Sequence, residues 1–335
     1  PPAVNHPLHP TGHRTTDDTP GRAQPPQTPE GDVGIYAHQV LVTPSNRAAI
    51  LVARGNDAAG DKPEDPGALK LLGFADGVLT NRASIAPGGG YGFGPRHLDF
   101  HPSKPFVFVS IERQNQLQVF GLGPDDALTP EPLFVASTLA DPAHVKPRQL
   151  AGGIHVHPNG RFVYVSNRSD ALVDFNGQMV RAGGEDNIAV FQIDPATGAP
   201  RLIQNAEPRS HHVRTFSIDP AGRMMVTASI QARLVREGDN VRSVPAALSV
   251  FRIGPDGQLD FQRKYDIDTS AGTLFWSGTL AVGRSAAVQE LRQPERHAGP
   301  HIHDRQAQDD DQHVGHHAGE DLVERHMLGC DTLQI

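Results

Sequence analysis

The chain repeats itself. Four segments, "HQVLVTPSNRAAILVAR" from His38, "RHLDFHPSKPFVFVSIE" from Arg96, "GGIHVHPNGRFVYVSNR" from Gly152 and "VRTFSIDPAGRMMVTAS" from Val213, share one pattern: an alternating run, a proline turn, and a second run rich in Val, Phe and Tyr. The turn prolines Pro44, Pro102, Pro158 and Pro220 lie 58, 56 and 62 residues apart. A third strand follows in the last three copies, as "NQLQVFGLGPDDAL", "DNIAVFQIDPATGAP" and "AALSVFRIGPDGQL", with a weaker version, "GALKLLGFADGVL", in the first. A polar turn and a short, less regular fourth strand close each unit. Proline fixes φ in "HPNGR", "DPAGR" and "DPATG", and Gly or Asn supplies positive φ there. The alternating runs on either side make strands with a buried face. Helical periodicity is nearly absent. The pattern predicts an all-β fold, a β-propeller of four-stranded antiparallel blades, since no blade can bury its own faces and neighbouring blades bury them for one another. A β-sandwich is the alternative, and the regular period tells against it.

Three segments are expected: an irregular stretch over residues 1–32, a partial β-propeller over 33–278, and a His-rich tail over 279–335. The first is rich in Pro, Thr and charge and carries no core of its own. After "GTLFWSG" the strand pattern stops, and residues 281–335 hold seven histidines with many Asp, Gln and Arg. The tail is expected to be disordered or foreign to the fold, through a frameshift or misjoined reading frame, with blades also lost before the first copy. An open set of blades exposes unpaired faces, so poor solubility or aggregation is expected.

A formal charge of −8 and a pI near 6.1 leave no basic patch that argues for nucleic acid. No apolar run approaches the roughly 18 residues of a membrane span. Cys330, the single cysteine, excludes an internal disulfide. That suits a reducing, cytoplasmic setting, or a periplasmic one if a signal peptide precedes "PPAVNH". The oligomeric state is left open by the sequence.

"GPRHLDFHP" followed by "VFVSIERQNQLQVF", then "IHVHPNGRFVYVSNR", "NIAVFQIDPATG" and "FSIDPAGR", resembles the lactonase family of seven-bladed propellers, which includes bacterial 6-phosphogluconolactonases and fungal carboxy-cis,cis-muconate cyclases. The resemblance covers residues 36 to about 278 and implies a seven-bladed ring of which roughly four to five blades are present here. It also implies a site at one mouth of the channel, made of a histidine, two arginines and a glutamate. The family's H-x-H motif appears as "YAHQV", placing its second histidine at His38 and Tyr36 where the first would be. The "GPR" arginine is Arg96, the glutamate ending the next strand is Glu112, and the arginine ending "VYVSNR" is Arg168.

The repeat places these groups at strand ends: His38 and Arg96 open first strands, and Glu112 and Arg168 close second strands. Hydrolysis of a sugar-acid lactone needs a base to activate water, donors for the tetrahedral oxyanion and an acid for the leaving alkoxide. Glu112 or His38 is the candidate base. Arg96 and Arg168 are candidates for holding a substrate carboxylate or phosphate and the oxyanion. A cyclase would use the same parts in reverse, and a non-catalytic scaffold or ligand-binding propeller is the rival reading. Arg96 and Glu112 also read as a buried structural pair, and His101, His155 and His157 as turn contacts. No cofactor is expected. No metal site is expected either, since "HIHD" and "HVGHH" in the tail have spacings that chelate adventitiously without a strand or helix to preorganise them. "APGGGYGFG" lacks the Lys-Ser/Thr of a phosphate loop and reads as a bend between blades. No Gly-x-Ser-x-Gly elbow points to a nucleophile.

Overall fold

The computed structural model describes residues 35–280. The readings made for residues 1–32, for the tail beyond 280 and for its histidines lie outside the described residues. The four copies form four antiparallel sheets, each with its strands in sequence order. Blade 1 comprises β1 (Ala37–Val42), β2 (Ala48–Ala53), β3 (Ala68–Ala75) and β4 (Val78–Ile85). Blade 2 comprises β5 (Pro95–Phe100), β6 (Phe106–Ile111), β7 (Gln116–Gly121) and β8 (Phe134–Ser137). Blade 3 is β9 (Gln149–Val156), β10 (Phe162–Ser169), β13 (Asn187–Ile193) and β14 (Pro200–Ala206), and blade 4 is β15 (Val213–Ile218), β16 (Met224–Ser229), β19 (Ala246–Ile253) and β20 (Leu259–Ile267). The first strands β1, β5, β9 and β15 lie beside one another in that order.

Alternation along the second strands explains how both faces of a blade are buried. Val107 and Val109 of β6 join Ile50, Val52 and Leu69 between blades 1 and 2. Phe108, one residue out of phase, joins Val163, Val165 and Phe191 between blades 2 and 3. Phe162 and Tyr164 of β10 turn the other way, onto Phe216, Met225 and Phe251 of blade 4. Each such side chain stabilises by about 1.5–3 kcal/mol on burial, so the apolar period of two fastens one blade to the next as well as shaping each strand.

The turns interlock as well. His157 accepts from the Asn159 N–H at Nδ1 (3.1 Å), capping its own turn, and its Nε2 donates to the carbonyl of Gly222 in the next blade's turn (2.8 Å). His101 caps its turn in the same way, accepting from Ser103 and Lys104 N–H, and its ring lies against Gly160. His155 is not a turn residue: it sits on β9, where alternation points its ring edge-on at Phe216 (4.9 Å between centroids) and toward Asp99 (3.8 Å).

Two hairpins extend the second-to-third strand connections of blades 3 and 4: β11–β12 (Leu172–Phe175, Gln178–Arg181) and β17–β18 (Arg233–Glu237, Asn240–Val244). Arg236 of one lies over Phe175 of the other, 4.1 Å from the ring centre. The glycine-rich stretch is a bend, as expected: a short 3-10 turn, Pro87–Gly90, joins blades 1 and 2 with Gly88, Gly89 and Gly90 at positive φ. Residues 272–280 form no strand but run beside β15, with Leu274 N–H donating to Ile230 (2.9 Å) and Thr279 Oγ1 to Ile218 (2.8 Å).

Candidate active site

Counting from the turn proline places six of the polar groups of the cleft. Six residues before it stand His38, Arg96, Gly152 and Arg214; ten after it stand Arg54, Glu112, Arg168 and Ile230. Because the two strands are antiparallel, both positions fall at the same end of a blade. The register of the first two strands shifts at His38, Arg96, Gly152 and Arg214 in turn, so each occupies a β-bulge. A bulge re-aims the side chain it carries. Just before it the chain passes through a left-handed residue, Tyr36 (φ 65), Gly94 (φ 52) or His212 (φ 56), in blades 1, 2 and 4. The carbonyl of that residue accepts from the N–H ten past the proline, of Arg54, Glu112 and Ile230 respectively.

Glu112 is the hub. Its Oε1 accepts from Arg96 Nη1 and from Arg168 Nη2 (2.5 Å), and its Oε2 accepts from Arg54 Nε. Burial alone would raise the Glu112 carboxyl, but Arg96, Arg168 and Arg54 outweigh it and hold the group at about 2. Burial and the charge of Arg168 push Arg96 down to about 9, leaving it cationic at neutral pH. Arg168 also donates from Nη1 to the carbonyl of Ala151 (3.0 Å), and a Cβ at Gly152 would sit 2.7 Å from that Nη1. The glycine of blade 3 is therefore the gap through which Arg168 reaches the hub.

Burial, then Arg96, lowers His38 to about 3, so its imidazole is neutral. Its ring stands edge-on to His97 at 4.7 Å, and its Nδ1 is enclosed without a partner among the described residues. His97, lowered mainly by its own burial, places Nδ1 3.3 Å from the Gly152 carbonyl. The four sequence-derived residues thus meet: His38, Arg96, Glu112 and Arg168 line one cleft of about 410 Å³. Arg54, Arg148, Asp170, His212, Arg214 and Arg233 line it too. Arg54 and Arg214 were legible at the same two offsets from the proline. His212 and Arg233 carry no such signal. Six arginines face two carboxylates, Glu112 and Asp170, and Asp170 is held by Arg148 (2.5 and 2.7 Å). The cleft is strongly positive within a chain of net charge −8. Among the described residues no three His, Cys, Asp or Glu side chains are grouped to hold a metal ion.

Four-stranded blades joined in sequence, with their polar strand ends gathered in one cleft, define a β-propeller protein. The chain belongs to the family described as lactonase, 7-bladed beta-propeller, whose model matches residues 11–236. The 6-phosphogluconolactonase of Bacillus subtilis (strain 168) is 28% identical over 196 residues, 58% of this chain and 47% of that protein. The 6-phosphogluconolactonase of Pectobacterium carotovorum is 30% identical over 137 residues, 41% of this chain and 36% of that one. The chain therefore spans less than half the length of these curated relatives. A protein from Lactobacillus plantarum shares the fold with a TM-score of 0.51 at 23% identity, over 68% of this chain and 55% of its own. A periplasmic gluconolactonase from Pseudomonas aeruginosa does so with 0.50 at 22%, over 72% and 57%.

Proposed function

We propose that this protein hydrolyses the lactone of a sugar acid at the cleft between the strand ends of its four blades. The observation that carries this reading is a neutral His38 set beside Arg96 in a cleft with more guanidinium than carboxylate. The names of the curated relatives support the substrate class. Glu112 spends both carboxylate oxygens on three arginines, and its work is to fix those guanidinium groups. His38 is the base: with Nδ1 enclosed, Nε2 takes a proton from a cleft water as the water oxygen adds to the lactone carbonyl. The oxyanion forms within reach of Arg96, whose charge stabilises it. Collapse breaks the ring C–O bond, and the His38 imidazolium returns its proton to the leaving alkoxide.

The test is lactone turnover by the full chain, followed by acid release above spontaneous hydrolysis. His38→Gln is expected to lower kcat/KM by roughly 10²–10⁴, and Arg96→Lys to lower kcat more than it raises KM. Background rates for the parent chain and both variants alike would overturn the reading.

A further inference from the structure

Arg96 and Arg168 are tied to a carboxylate. Both spend a donor on Glu112, Arg54 does the same, and Arg148 grips Asp170 with two donors. Arg233 directs its Nη2 at Nδ1 of His212 (3.2 Å). Arg214 differs: among the described residues it has no carboxylate within ion-pair distance and no hydrogen-bond acceptor. It occupies the same bulge position in blade 4 that Arg96 occupies in blade 2, and it lines the same cleft. Its guanidinium is held from behind, 3.9 Å over the ring of Phe275, a contact that fixes the plane of the group without using its N–H donors. Burial and the charge of Arg168 push Arg214 down, while Glu112 acts the other way.

Resting on the lactonase reading, we infer that Arg214 is the specificity-determining residue that takes the substrate's anionic group, a phosphate or carboxylate remote from the reacting carbonyl. A planar fork with free donors suits bidentate contact with such a group. An anion there would also offset the positive charge that lowers His38, because Arg214 contributes to that lowering. Binding of the anion and the basicity of His38 are thereby linked.

The chain carries its own reporter. Trp276, the one tryptophan in the sequence, follows Phe275 and lies 6.4 Å from the His97 ring. Titrating the full chain with 6-phosphogluconate, the hydrolysed form of a phosphorylated lactone, while reading Trp276 fluorescence and calorimetric heat, gives the Kd. Arg214→Gln is expected to raise Kd about tenfold, and Arg214→Lys to raise it less. In both the unfolding midpoint should stay near that of the parent. The dependence of Kd on salt should flatten in Arg214→Gln, since one screened charge pair is gone. Unchanged Kd in Arg214→Gln, or a tenfold loss in Arg233→Gln in its place, would overturn the inference. Turnover without dependence of binding on Arg214 would sink this inference alone. Binding that depends on Arg214, in a chain without turnover, would sink the lactonase reading alone.

Discussion

Arg168 of blade 3 reaches Glu112 of blade 2, Nη2 to Oε1 at 2.5 Å, across a distance of 56 residues in sequence. Both side chains are almost fully buried, and with Arg96 and Arg54 they form one ion cluster. Removing Glu112 leaves three guanidinium groups without their shared anion, and breaking a buried pair in that way costs about 3–5 kcal/mol. Glu112→Gln is therefore expected to unfold at markedly lower urea concentration. Chemical denaturation at neutral pH measures it, and a midpoint equal to the parent's would contradict the hub.

Gly152 keeps the path of Arg168 open. A Cβ there would meet Ser166 Oγ at 2.4 Å and Arg168 Nη1 at 2.7 Å, whereas a Cβ at Gly153 meets nothing nearer than Phe216 at 3.5 Å. Gly152→Ala is expected to cost roughly 1–3 kcal/mol through overpacking and to impair the cleft, with Gly153→Ala close to neutral. Thermal unfolding of the two variants side by side decides it.

The turn interlock gives a matched glycine pair. Gly222 has φ +67 and a Cβ there would lie 2.5 Å from the His157 ring, while Gly238 has φ +63 and open space around it. Both substitutions carry the same backbone penalty, so Gly222→Ala should be the more destabilising by the additional clash. Equal losses in a denaturation experiment would mean that the His157 ring bears no weight between blades 3 and 4.

Acid should unfold this protein in two overlapping stages. His38 and His212 are held below the ordinary histidine value of 6.5, at about 3 and about 4, mainly by burial. The unfolded chain binds those protons first, so stability begins to fall as pH drops below 6.5. Glu112, depressed from 4.5 to about 2, contributes stability that is complete above 4.5 and lost as pH falls toward 2. That carboxylate accounts for about 3 kcal/mol at about 1.4 kcal/mol per pH unit. Unfolding free energies measured from pH 7 to 3 should decline throughout, and His38→Gln should flatten the part between 6.5 and 4. A flat profile in the parent would refute both assignments.

The repeat alone was enough to specify blades and strand order; the cleft's first four residues came from the family resemblance, and the repeat put them at strand ends. An alternating strand, a proline turn and a Val-rich strand admit few other pairings, and a fixed offset from Pro44, Pro102, Pro158 and Pro220 marks one end of every blade. Local pattern also named the bend at Pro87–Gly90 and the capping role of His101 and His157. It could not say that Glu112 would be shared among three arginines, because that depends on which side chains of three blades point into one space. It could not show that Gly152 leaves Arg168 its path, that His38 is neutral, or that Arg214 is left without a carboxylate. Hydrophobic period is a property of neighbours in sequence and survives in the one-dimensional string. Charge balance and burial are properties of neighbours in space, and here the groups that share one cleft run from Arg54 to Arg214, 160 residues apart, so only the packed blades decided them.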